Sequence, residues 1–174
     1  MLAGVGGRAR GALSCARCVL DCHTAHSGAA PGAAARADQQ HAEHGAAMIT
    51  GIGIDVVDVA RVEQMLANKG ERLLARLFTE AEAAYATERA RPALHLAARL
   101  AAKEAAFKAL AGSDEARLIG WREVEVVPRP GNSPTLRFTG RAEARIRELE
   151  VRQVWVTLTH TDLTAAAVVI LERA

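Results

Sequence analysis

Cysteine is confined to one end of this 174-residue chain: the only three, Cys15, Cys18 and Cys22, lie within its first two dozen residues. An odd number crowded into one stretch makes no disulfide framework, which excludes a stapled secreted scaffold. Aromatic residues are also scarce, at 3%. The core must therefore be built from Leu, Val, Ile and Ala, and a surface that stacks nucleic-acid bases has too few rings to form. No apolar run approaches the roughly 20 residues of a membrane span, and no continuous apolar segment near the N-terminus resembles a secretory signal. A strong charge of either sign is missing too: the formal charge is +2 and the pI about 8.6. Any anion site must then come from a local cluster rather than a global field. The expectation is a soluble, cytoplasmic protein that engages neither membrane nor nucleic acid.

Composition changes sharply near Met48. Residues 1–47 mix Ala, Gly, Arg, His and Ser without a hydrophobic period, and cannot bury enough apolar surface to offset their ordering entropy. They are expected to form a disordered extension, or an over-long start, ahead of a domain over 48–174. The extension contains Cys15-x2-Cys18-x3-Cys22-His23-x2-His26. Zinc modules need two ligand pairs separated by a folded loop, and nothing here reads as such a loop, so no zinc site is assigned.

From Met48 onward periodic elements appear. ITGIGIDVV reads as a strand, and Asp58 as the cap of an amphipathic helix, VARVEQMLANKGERLLARLF, broken near Gly70. A short helix follows Thr79, where Thr79–Glu82 shows part of the capping-box spacing. Pro92 opens a long helical run through Leu110, ended at Gly112. Strands are expected at Val124–Val127, Leu136–Phe138, Val154–Thr159 and Thr164–Leu171, with a helix over Arg141–Leu149. Short connections predict an α+β domain, a largely antiparallel sheet packed with the long helix.

Two places could carry chemistry. Alternation puts Ile52, Ile54 and Val56 on one face of the first strand, expected against the core, and Gly51, Gly53 and Asp55 on the other. Two strand glycines leave room for a ligand or for another backbone, and spacing alone does not choose between them. On the long helix, Glu104 and Lys108 are four residues apart beside small alanines; alone they read as a surface ion pair. Lys103 falls within the apolar stripe of Leu96, Leu100, Phe107 and Leu110, where a charge must reach an edge or face a ligand. Taken together, Asp55 and Glu104 are hard oxygen ligands suited to Mg2+, and Lys108 is a point charge for the same phosphate. That is minimal equipment for phosphoryl-type transfer.

GIGIDVVDVARVEQM, then LAARLAAKEAAFKAL, then VTLTHTDLTAAAVVI resemble in order the signature of holo-acyl-carrier-protein synthases, short single-domain members of the 4′-phosphopantetheinyl transferase superfamily. With FTEAE at Phe78–Glu82, the resemblance spans residues 48–174. It implies transfer of 4′-phosphopantetheine from coenzyme A to a serine of apo-acyl carrier protein in fatty acid biosynthesis, releasing adenosine 3′,5′-bisphosphate. It also implies Asp55 and Glu104 as Mg2+ ligands, Lys108 on the pyrophosphate, and Arg99 and Lys103 towards the nucleotide phosphates. His160 and Thr161 would lie near the 3′-phosphate. Arg61 and Met65 would meet the carrier protein, and the active form would be a homotrimer with sites at subunit boundaries. The proton acceptor stays open between metal-bound water and Glu104. Departures include Leu100 at a position usually aromatic, Ala111-Gly112-Ser113 in place of a GTG-type turn, and Thr159 where serine is common. The competing reading is a non-catalytic module that binds nucleotide or carrier protein.

Overall fold

Gly70 adopts φ 45° and ψ −123°. Glycine alone takes this conformation without strain, and it kinks the first helix where the sequence placed a break. In the computed structural model, which describes residues 48–173, this helix α1 (Val59–Leu77) follows strand β1 (Met48–Asp58). The Cys–His pattern and the expected extension lie outside the described residues. Asp58 stands at the start of α1 but makes no side-chain cap; Val59 N–H instead donates to Leu163 O at 2.8 Å. The capping box before α2 (Glu80–Thr87) is complete rather than partial. Thr79 Oγ1 accepts from Glu82 N–H at 3.3 Å, and Glu82 Oε2 from Thr79 N–H at 2.9 Å. Pro92 occupies the first turn of α3 (Pro92–Leu110), as expected.

The remaining elements are β2 (Val124–Arg129), β3 (Asn132–Phe138), α4 (Gly140–Glu148), β4 (Val151–His160) and β5 (Thr164–Arg173). The architecture is α+β and antiparallel throughout, but divided into two sheets: a three-stranded sheet ordered β1-β5-β4 and a β2–β3 hairpin. Helix α3 lies across the three-stranded sheet, and its alanines, among them Ala97, Ala101, Ala105 and Ala106, are fully buried. No helix among the described residues is long and apolar enough to cross a membrane.

The facing of β1 is the reverse of the expectation. Gly51 and Gly53 point inward, and Ile52, Ile54 and Val56 are 62%, 61% and 59% exposed. Contact with α3 is the cause. A Cβ on Gly53 would overlap Ala105 O and lie 2.9 Å from Ala105 C and Ala109 N; one on Gly51 would overlap Ala109 O. Only the face without side chains lets the helix backbone come this close. The outward branched residues continue across the sheet through the pairs Ile52↔Ile170, Ile54↔Val168 and Ile170↔Trp155. Burial of the apolar face was the wrong inference; close backbone approach won.

Candidate active site

The inward glycine face carries Asp55 with it, so its carboxylate meets α3. Lys108 Nζ lies 2.7 Å from Asp55 Oδ1 and donates to Ile54 O at 2.8 Å. Lys108 therefore joins two elements instead of pairing with Glu104 one turn away on its own helix. Glu104 is half-buried in the same cluster. Its carboxyl is pushed above the ordinary range, first by burial and then by the charge of Asp55; Lys108 and Arg61 pull it partly back. Two carboxylates and two cations thus converge, although spacing alone made Glu104–Lys108 a surface pair.

Among the described residues no three His, Cys, Asp or Glu side chains form a metal cage. The Asp55–Glu104 pair fits Mg2+, which retains waters and takes substrate phosphate oxygens for the rest. The raised Glu104 carboxyl supports that fit, since a cation beside it would relieve the repulsion that Asp55 imposes. Beside Lys108 opens a cleft of about 770 Å³, lined by Phe107, Lys108, Ser113, Arg117, Ile119 and Trp121. Its volume is that of a small-molecule site. Phe107 and Trp121 pack edge to face at 5.0 Å and form its apolar wall. Arg145 fixes its rim, donating from Nε to Leu110 O at 3.0 Å and from Nη2 to Ala111 O at 3.1 Å. These two carbonyls belong to the end of α3, so Arg145 serves as its C-terminal cap.

Lys103 points into the interior. It is 0% exposed, pairs with Glu82 Oε2 at 2.8 Å, and donates to Trp121 O at 2.8 Å and to Val124 O. Three acceptors match the three protons of an ammonium. Burial lowers its pKa and Glu82 opposes that shift. Lys103 is thus a tie between α2, α3 and the start of β2. Its position in an apolar stripe was the signal that a buried countercharge had to exist, but the sequence does not point to Glu82.

The structure places Arg99 elsewhere on α3, 5% exposed, with its guanidinium 4.1 Å over the Tyr85 ring. Next to it lie His95 and, at the end of β4, His160, with ring centroids 6.4 Å apart. Thr161 closes the β4–β5 turn, as turn hydroxyls do. Its Oγ1 accepts from Leu163 N–H at 3.2 Å and Thr164 N–H at 3.1 Å. Arg61 is exposed and its charge reaches Glu104, whereas Met65 is half-buried and packs against the core. His95 and Tyr85 escaped the sequence reading because no spacing links them to His160.

The chain is similar to known proteins over most of its length. The family model described as the 4′-phosphopantetheinyl transferase superfamily matches residues 51–167. A holo-[acyl-carrier-protein] synthase of Anaeromyxobacter dehalogenans is 47% identical over 128 residues, covering 72% of this chain and 97% of that protein. The Thermus thermophilus holo-[acyl-carrier-protein] synthase is 47% identical over 125 residues, covering 72% and 94%. The crystal structure of a holo-(acyl-carrier-protein) synthase from Bacillus anthracis, in complex with CoA (3′,5′-ADP), superposes with a TM-score of 0.58 at 30% identity, covering 73% of this chain and 99% of that one. With its ordered motifs, its α3–β1 packing and these matches over most of its length, the chain belongs to the 4′-phosphopantetheinyl transferase superfamily.

Proposed function

We propose that this protein is a holo-acyl-carrier-protein synthase that moves 4′-phosphopantetheine from coenzyme A to a serine of apo-acyl carrier protein. The convergence of Asp55, Glu104 and Lys108 beside a ligand-sized cleft carries the reading. In the reaction the serine Oγ forms a bond to the pantetheine-bearing phosphorus. The P–O bond to adenosine 3′,5′-bisphosphate breaks, and the serine proton must leave. Asp55 and Glu104 would hold Mg2+, which supplies charge neutralisation on the pyrophosphate. Lys108, fixed by Asp55 and Ile54 O, presents its remaining N–H to a phosphate oxygen and stabilises the charge gathering on the leaving group. Either Glu104 or a water held beside it would accept the serine proton. A non-catalytic module has no need of this cluster.

The outward face formed by Ile52, Ile54, Val56, Val168, Ile170 and Trp155 supports assembly with further copies of the chain, and a homotrimer is part of the proposal. So are Arg61 as a contact for an acidic carrier protein, a place in fatty acid biosynthesis and a cytoplasmic location. Residues 1–47 are proposed to be dispensable, so that a chain beginning at Met48 keeps full activity.

The test is direct. Incubation with coenzyme A, Mg2+ and an apo-carrier protein should yield a phosphopantetheine adduct by mass spectrometry, and EDTA should abolish it. No adduct, or one undiminished in EDTA, would overturn the reading.

A further inference from the structure

Lys103 and Glu82 form an interior charge pair that the chemistry at Asp55 and Glu104 does not use; both side chains are 0% exposed. Such a pair adds little net stability over apolar side chains of the same volume, because both charges have been taken out of water. What apolar side chains lack is direction. Glu82 Oε1 accepts from Val126 N–H at 2.9 Å and Oε2 from Thr79 N–H at 2.9 Å. The carboxylate is thus fixed from two sides where it meets Lys103 Nζ at 2.8 Å. That Nζ donates onward to Trp121 O at 2.8 Å and to Val124 O.

Those two carbonyls bracket the 3-10 turn Trp121–Glu123: one belongs to its first residue, the other to the residue after its last. The turn is also held through Glu123, whose O accepts from Thr139 N–H at 2.9 Å. From this turn Trp121 packs edge to face on Phe107, with ring centroids 5.0 Å apart, and both residues line the cleft beside Lys108. Phe107 stands four residues beyond Lys103 on α3, one helical turn away. One helix therefore carries both the ammonium that clasps the turn and the ring on which Trp121 rests.

We propose that Lys103, held by Glu82, is a positioning residue for coenzyme A: it sets Trp121 as the wall on which the pantetheine arm lies. The inference rests on the transferase reading, in which Lys108 meets a phosphate of the coenzyme. From there the arm has the cleft of about 770 Å³ beside it. A ring ordered before binding charges the complex no further ordering entropy. Without the clasp the turn is tethered to its surroundings through Glu123, and Trp121 must be ordered as the ligand enters. In this role Lys103 never touches substrate; its effect passes through the backbone of Trp121.

The experiment uses the full chain. Its two tryptophans are Trp121 and Trp155, so Trp155→Phe leaves Trp121 as the sole emitter. Its fluorescence should change with coenzyme A and not with adenosine 3′,5′-bisphosphate, which lacks the arm. Lys103→Met should raise the Kd and the KM for coenzyme A about tenfold, the order expected when one more side chain is ordered on binding. Neither kcat nor the affinity for adenosine 3′,5′-bisphosphate should change. A merely structural loss does the reverse, since fewer folded molecules lower the apparent kcat and leave KM alone. The Glu82→Gln/Lys103→Met double variant leaves no unpaired buried charge; it should regain stability yet keep the raised Kd. In a Trp121→Ala background Lys103→Met should add nothing to Kd, because the residue it acts through is gone. A Trp121 signal indifferent to coenzyme A, recovery of Kd in the double variant, or additive effects of Lys103→Met and Trp121→Ala would overturn the inference. If the Kd pattern holds but no phosphopantetheine is ever transferred, the transferase reading fails and the positioning role stands.

Discussion

Replacing Gly53 by alanine tests the packing on which the whole site depends. The new Cβ would overlap Ala105 O and stand 2.9 Å from both Ala105 C and Ala109 N. Carbon atoms in good contact sit about 3.5–4.0 Å apart, so β1 and α3 would have to separate by about 1 Å. Overpacking of this kind costs roughly 2–3 kcal/mol, and the obstacle here is backbone on both sides, which has no rotamer by which to escape. For a domain of this size the loss corresponds to a Tm lower by about 10 °C. The same displacement moves Asp55, two residues along β1, away from Lys108 and Glu104. A misplacement of about 1 Å in a reacting assembly lowers turnover by roughly two orders of magnitude. Circular-dichroism melting and the phosphopantetheine transfer rate read the two effects separately. Gly120→Ala is the control, because Gly120 has φ −78° and its added Cβ would meet nothing closer than Glu123 Cγ at 3.6 Å. That change should stay within about 0.5 kcal/mol. A Gly53→Ala protein with the parental Tm and rate would refute the close approach, and with it the explanation for the inverted facing of β1.

Three further outcomes follow from the same geometry. Lys103→Met leaves Glu82 charged and buried and should destabilise by about 3–5 kcal/mol in urea unfolding, with m unchanged; a loss confined to coenzyme A affinity would instead return Lys103 to the nucleotide. Because the Glu104 carboxyl is raised in the fold, the metal-free native state binds its proton more tightly than the unfolded chain. Its contribution is therefore greatest below the ordinary value of 4.5 and is lost as pH rises through the folded value. Glu104→Gln should erase that decline from the stability–pH curve; parallel curves would contradict it. Ile54→Arg places a charge on the outer sheet face, at a position 61% exposed in the single chain. It should give a folded monomer by light scattering; an unchanged oligomer would move the interface elsewhere.

Much was legible before any coordinates. The 3.6-residue period, Pro92 and Gly112 bounded α3; Gly70 marked the kink in α1; and the ordered motifs singled out Asp55, Glu104 and Lys108. These are local properties, carried by backbone preference and by residue order, so a linear reading can reach them. Helix α3 sets the facing of β1, the partner of Lys103 and the neighbours of His160, and each of these is a contact between residues distant in sequence. Alternation on β1 is the same whichever face is buried; only the backbone of α3, pressed where glycine leaves space, decides that the branched side chains turn outward. A lysine in an apolar stripe demands a countercharge but cannot name one, and Glu82 becomes the answer only when α2 packs beside α3. Composition and order determined which groups this protein owns; the close packing of an alanine helix on a glycine strand decided which of them meet.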